Sequence, residues 1–271
     1  MSENPFFTPP VRRRNYGKGH SYIDAAGRKV PGVTTIIGDG VPKPALINWA
    51  ANTTAAYAVD HWDELTETAP SARLKKLQDS RYADRDAAAN RGIQVHKLAE
   101  KLVAGQEVEV PDELAGHVEA YVKFLDDWDV QALLSEFVVV SHRHGYAGTG
   151  DLIADLRHPE QPGATVRWLL DVKTSRSGVF GETGLQLAGY RYADVYMDGQ
   201  TEHPMPTVDR TGVVHVRSNG YDLVPVEAGP DVHRSLLYVQ QVKRFVDQAR
   251  ELVGDALLPP PPIEAEEATP A

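Results

Sequence analysis

The chain has no cysteine among its 271 residues. Disulfide frameworks, cysteine-ligated zinc, iron–sulfur clusters and thiol nucleophiles are therefore all excluded. Long apolar runs are missing as well; none reaches the roughly 18 residues that cross a bilayer. Positive charge is in deficit, with 28 Lys+Arg against 38 Asp+Glu and a formal net charge of −10. A protein that coats nucleic acid by bulk charge does not look like this. A site in which carboxylates hold cations remains open, because a bound cation reverses the local field. The Arg12-Arg13-Arg14 cluster follows the apolar residues of the N-terminus, and no hydrophobic stretch comes after it. That order is wrong for a secretory or twin-arginine leader, so a cytoplasmic setting is expected. No Gly-Lys-Ser/Thr phosphate loop is present, so nucleotide hydrolysis of that kind is not expected.

What is present is enough apolar material, 42% of residues, for a sizeable core. Residues 1–15 read as a flexible arm, 16–258 as a single domain, and 259–271 as a disordered acidic, Pro-rich tail. Within the domain, 16–85 holds a hairpin and helices and 86–258 the core. Tyr22-Ile23 and Val30 flank the turn-forming Asp24-Ala25-Ala26-Gly27. Pro42 and Pro44 introduce a helix that carries Leu46, Trp49, Ala50 and Tyr57 on one face. Ser71–Gly105 reads as helix broken once or twice, ending at Gly105. After Pro111, Leu114, Val118, Tyr121, Leu125 and Trp128 recur at helical spacing. Trp49 and Trp128 are expected in the core.

The pattern then changes. Leu133–Ser141, Tyr146–Leu156 and Val166–Val172 read as strands, and Thr183–Met197 as a helix. Gly212–Arg217 and Tyr221–Val226 form a hairpin around Asn219-Gly220. A final helix spans Asp231–Val253, with Val239, Val242, Val246, Ala249 and Val253 inward. Strands bracketed by helices predict an α/β fold with a mixed central sheet flanked by helices and an added N-terminal helical region.

Asp171-Val172-Lys173 ends the third of these strands. Residues two apart on a strand share a face, so Asp171 and Lys173 project together. Asp151 lies in the preceding strand, after Gly148-Thr149-Gly150. If the strands are neighbours, Asp151 and Asp171 converge. Carboxylates plus a backbone carbonyl make a hard oxygen site suited to Mg²⁺ or Mn²⁺. By itself Asp-x-Lys is commonly a solvated strand end. It is accompanied, though, by the helical Gly92-Ile93-Gln94-Val95-His96, with Glu100 one turn on, and by Gln186-Leu187-Ala188-Gly189-Tyr190 in the following helix.

In this order the motifs resemble the PD-(D/E)xK nuclease superfamily, and within it the RecB-like exonuclease group. There a helical Gly-x-x-x-His precedes Gly-x-x-Asp, Asp-x-Lys-Thr and Gln-x-x-x-Tyr, matched here by Gly92–His96, Gly148–Asp151, Asp171–Thr174 and Gln186–Tyr190. Val30–Ile36 and Pro42–Leu46 also look like the leader of phage-encoded members. The resemblance implies a restriction-endonuclease-like core and one or two Mg²⁺ or Mn²⁺ ions. It implies His96, Asp151, Asp171 and the Val172 carbonyl as metal ligands. Lys173 would position or activate the attacking water, and Gln186 and Tyr190 would contact DNA. Glu100 could orient His96. It further implies hydrolysis of linear DNA by an exonuclease, in recombination, repair or phage replication, with a single-strand annealing or recombination protein as a possible partner and no membrane. An endonuclease of the same fold and a catalytically silent DNA-binding or assembly module stay open as alternatives. The chain departs from the family pattern in carrying Gly150 before Asp151 and an Asp at position 171.

Other features carry less. His142-Arg143-His144 has no carboxylate close in sequence, and Ser175 and Ser177 have no ordered Asp/His partner, so acyl-enzyme chemistry is unsupported. Lys75, Lys76, Arg81 and Arg85 interleave with Asp79, Asp84 and Asp86, the mark of a solvated helix face.

Overall fold

A computed structural model describes residues 7–17, 19–175 and 178–259, and of residues 83–89 it describes the backbone alone. The tail expected to be disordered, from 260 on, and Ser177 lie outside the described residues. So do residues 1–6 and the side chains of Asp84, Arg85 and Asp86.

The chain opens with a three-stranded antiparallel sheet of β1 (Arg12–Tyr16), β2 (Gly19–Ile23) and β3 (Lys29–Val30). The arginine cluster, read as part of a loose arm, is thus paired strand from Arg12 onward. Asp24 closes the hairpin. Its buried carboxylate accepts from the backbone N–H groups of Thr8 and Arg28 and from the Arg28 side chain. Helix α1 (Val33–Gly40) buries Val33, Ile36 and Ile37. The N–H of Ala147 donates to the Pro31 carbonyl, seating the Val30–Val33 segment beside the main sheet.

Helices α2 (Pro44–Asp60), α3 (Trp62–Glu67) and α4 (Pro70–Val103) follow. The expected breaks in α4 do not occur; it runs 34 residues without interruption. No residue of α2 is buried, and Trp49 is 38% exposed, so it is not a core residue. A short 3₁₀ turn at Asp112–Leu114 leads into α5 (Ala115–Asp127), which buries Val118, Ala120, Tyr121 and Phe124.

The main sheet has seven strands: β4 (Gln131–Ser141), β5 (Tyr146–Arg157), β6 (Thr165–Lys173), β7 (Val195–Asp198), β8 (Thr201–Pro204), β9 (Arg210–Arg217) and β10 (Gly220–Pro225). Their spatial order is β10-β9-β6-β5-β4-β7-β8. All neighbours are antiparallel except β6 and β9, whose parallel connection runs through α6 (Glu182–Arg191) and the β7–β8 hairpin. The helix expected over Thr183–Met197 therefore stops early, and its last residues form β7. The last helix, α7 (Pro230–Gln248), ends in a 3₁₀ turn at Ala249–Leu252.

Strand alternation divides the core. Ile153 and Leu169 face α1, α6 and α7 with Tyr146, Leu187, Tyr190 and Leu236. Leu152, Leu170 and Val172 face the other way, with Tyr121, Phe124, Trp168 and Val214. The molecule is thus mixed α/β, a large mixed sheet with helices on both faces. Among the described residues no helix is long and apolar enough to cross a membrane.

Candidate active site

β5 and β6 pair from Arg157↔Thr165 as far as Leu152↔Leu170, and the ladder stops there. Beyond that point the side chain of Asp151 replaces the backbone. Its Oδ2 accepts the Val172 N–H at 2.7 Å. Two glycines before Asp151 permit this close packing. A Cβ at Gly148 would collide with the Tyr190 ring, and one at Gly150 would meet the Phe137 ring at about 2.5 Å.

Glu136, on β4, faces the same spot. Its neighbours Ser135 and Phe137 pair with Leu152 and Gly150, which sets Glu136 opposite Asp151. Its φ is +48°, rare for a residue with a side chain and a source of local backbone strain. Like charges directly opposed across strands cost stability. From α4, His96 comes between them: Nδ1 lies 3.5 Å from Asp151 Oδ2 and 3.7 Å from Glu136 Oε1. One potential ligand atom from each of His96, Glu136 and Asp151 lies within 4.8 Å of the others. An imidazole and two carboxylates form an N/O donor set that can hold a divalent cation. Arg13, on β1, reaches the far oxygen of Glu136 at 3.6 Å.

Asp171 sits beside this group, buried at the end of β6. Its Oδ1 accepts from Lys173 Nζ at 3.0 Å and from Gln186 Nε2 at 2.6 Å. Its Oδ2 lies 2.8 Å from the same ammonium, so Lys173 engages both oxygens of the carboxylate. Gln186 also donates to the Tyr190 hydroxyl at 3.2 Å.

These contacts set the charges. Burial pushes the Asp151 carboxyl up, against the opposing pull of His96, with Asp171 and Glu136 adding to the rise. Burial pushes the His96 imidazole down, but the carboxylates of Asp151, Glu136 and Asp171 outweigh it and raise its pKa. Burial likewise opposes the charge on Lys173, and Asp171 and Asp151 overcome it. Lys173 is therefore held as an ammonium. In that state it donates a hydrogen bond to Asp171 and offsets negative charge.

His96, Asp151, Asp171 and Lys173 are thus brought together, the three strand residues because β5 and β6 are neighbours. Three details add to expectation or depart from it. The close ligand cluster contains Glu136, while Asp171 is engaged by Lys173 and Gln186. The Val172 N–H donates to Asp151, a contact additional to the role expected of its carbonyl. Of Gln186 and Tyr190, expected to contact DNA, Gln186 holds Asp171 and is half-buried along a hollow that Lys173 also lines, and Tyr190 is 2% exposed beneath Gly148. Glu136 escapes a motif reading because it is one acidic residue with no set spacing to the others. Its available signal is a carboxylate at the edge of the strongly apolar Phe137–Val140. Glu100 is exposed, and the acidic partners of His96 are Glu136 and Asp151. Elsewhere, His142 meets Glu202 at 3.0 Å, and Ser175 Oγ donates to the Gly178 carbonyl, closing a turn.

No protein-family model matches the chain, and neither does any curated protein.

Proposed function

We propose that this chain is a divalent-cation-dependent deoxyribonuclease that hydrolyses phosphodiester bonds of linear DNA from its ends, with a restriction-endonuclease-like core of the PD-(D/E)xK, RecB-like type. The observation that carries this reading is the convergence of His96, Glu136, Asp151, Asp171 and Lys173 where β5 and β6 part. Carboxylates of this density, opposed across strands on a strained backbone, are a poor choice for stability and a good one for holding cations.

His96, Glu136 and Asp151 would hold a cation, with the Lys173-paired carboxylate of Asp171 beside them. Mg²⁺ and Mn²⁺ suit the carboxylates, and the imidazole tilts the preference toward Mn²⁺. When bound, such an ion supplies positive charge at the scissile phosphate and lowers the pKa of water. The protein's own part is positional. Lys173, fixed by Asp171, offers N–H donors to a non-bridging phosphate oxygen as charge builds there. Gln186 and the buried Tyr190 keep Asp171, and through it Lys173, in place. Water is the nucleophile, so no covalent enzyme intermediate forms.

The test uses end-labelled linear duplex and covalently closed circular DNA, each with Mg²⁺, Mn²⁺ or EDTA. Loss of the linear substrate alone, dependent on the cation, is the expected result. Lys173→Ala should lower the rate by at least about 100-fold, the usual scale for removing an electrostatic donor, with unchanged circular dichroism. Cutting of the circle would replace the exonuclease reading with an endonuclease. Full activity in Lys173→Ala would remove the site assignment.

A further inference from the structure

An apolar groove leads away from the site. It has a volume of about 1120 Å³ and lies between the start of α2, the C-terminal third of α4 and the end of β6. Leu46 (52% exposed), Trp49, Ile93 and Phe180 (52%) open onto it. Its floor carries His96, Glu136 and Lys173, residues of the site itself. Lys43, Arg91 and Lys97 line its walls, with Glu100 and Glu182 as counterweights. A second hollow of about 270 Å³ adjoins it and shares Lys43, Lys173 and Phe180. The track therefore passes Lys173 and continues beyond it.

This lining does not suit an apolar protein helix, which would bury Arg91, Lys97 and the acidic cluster without partners. It does not suit paired duplex either, because stacked, paired bases offer no free face to Trp49 and Phe180. Exposed aromatic side chains for bases, with cations among the same lining for phosphates, suit an unpaired strand. Resting on the nuclease reading of the adjoining site, we propose that this groove is the track for single-stranded DNA. Bases stack on Trp49 and Phe180, Arg91 and Lys97 meet the backbone, and a phosphate is thereby delivered to Lys173. The strand that is cut is then one already unpaired, or one peeled from its complement on entry.

Binding tests this separately from cleavage. The probes are a fluorescein-labelled oligo(dT) 12-mer and a hairpin duplex of equal charge, titrated in EDTA and in Ca²⁺ by anisotropy. The wild-type chain should bind the single strand more tightly than the duplex. Trp49→Ala and Phe180→Ala should each weaken single-strand binding about tenfold, and Trp49→Phe should recover most of the loss. Neither residue is buried, so melting temperatures should stay close to wild type, and thermal denaturation checks this. Single-strand affinity unchanged in both alanine variants would overturn the proposal, as would duplex binding of equal strength or no binding at all. If the single strand binds as described but is never cut, the groove assignment stands and the nuclease reading falls.

Discussion

Single residues at this site are chosen against local stability. Glu136 opposes Asp151 across a strand pair and holds a left-handed backbone. Asp171 buries a carboxylate that Lys173 offsets with charge. Gly148 shows how tightly the surroundings fix these groups. Its missing side chain makes room for the Tyr190 ring, whose hydroxyl accepts from the same Gln186 that holds Asp171. Gly148→Ala should therefore cost about 1–3 kcal/mol through overpacking. A fall in melting temperature of several degrees, measured by calorimetry, is expected together with reduced activity. An unchanged melting temperature would mean that the Tyr190 ring moves aside freely.

At the scale of elements, α4 brings His96 to the sheet over a long, largely solvated span. Gly92 lies one turn before His96, and a Cβ there would meet Thr174 Oγ1 at 3.5 Å, an ordinary contact. Glycine costs a helix interior about 0.5–1 kcal/mol relative to alanine. Gly92→Ala should raise the urea midpoint by the corresponding amount. A lowered midpoint would show that the helix cannot take even a methyl against β6. The strands around the site were legible in the sequence because Phe137–Val140 and Trp168–Leu170 are unbroken apolar runs and because Asp-x-Lys ends a strand. The β7–β8 hairpin was not. Val195-Tyr196-Met197 continues the apolar spacing of α6 with no proline or glycine to announce the change. On α7 the valines repeat at helical spacing, yet Val242 and Val246 are exposed, and His233, Leu236 and Gln240 are the buried residues. Periodicity identifies a helix; it does not say how far the helix runs past the sheet that covers it. Trp49 misleads for a related reason, since its apolar face belongs to a groove rather than to the core.

At the scale of the whole molecule, the joint between the sheet and α6 and α7 contains a histidine. His233 Nε2 lies 2.9 Å from the Tyr146 hydroxyl, which donates to the Gly189 carbonyl, and its ring stacks on Tyr192 and meets His144 edge-on. Burial, aided by His144 and opposed by Asp194, lowers its pKa to about 4. The unfolded chain binds the proton more readily, so folding stability falls as pH drops from about 6.5 toward 4. Thermal melts across that range should show a steeper loss in the wild type than in His233→Gln. Parallel slopes would remove His233 as the cause. The same scale places the site: Lys43, Arg91, Lys97 and Lys173 line one groove together with Glu100, Glu136 and Glu182, an arrangement visible only once elements distant in sequence are folded together.

If His96, Glu136 and Asp151 form a cation site, calorimetric titration with Mn²⁺ will detect it. The wild-type chain should bind Mn²⁺ with release of protons, since a ligand histidine held as imidazolium must give up its proton. Glu136→Gln and Asp151→Asn should each weaken binding by at least about tenfold, while Glu100→Gln, at an exposed position of the groove, should bind as the wild type does. Equal Mn²⁺ affinity in the wild type, Glu136→Gln and Asp151→Asn would contradict the account.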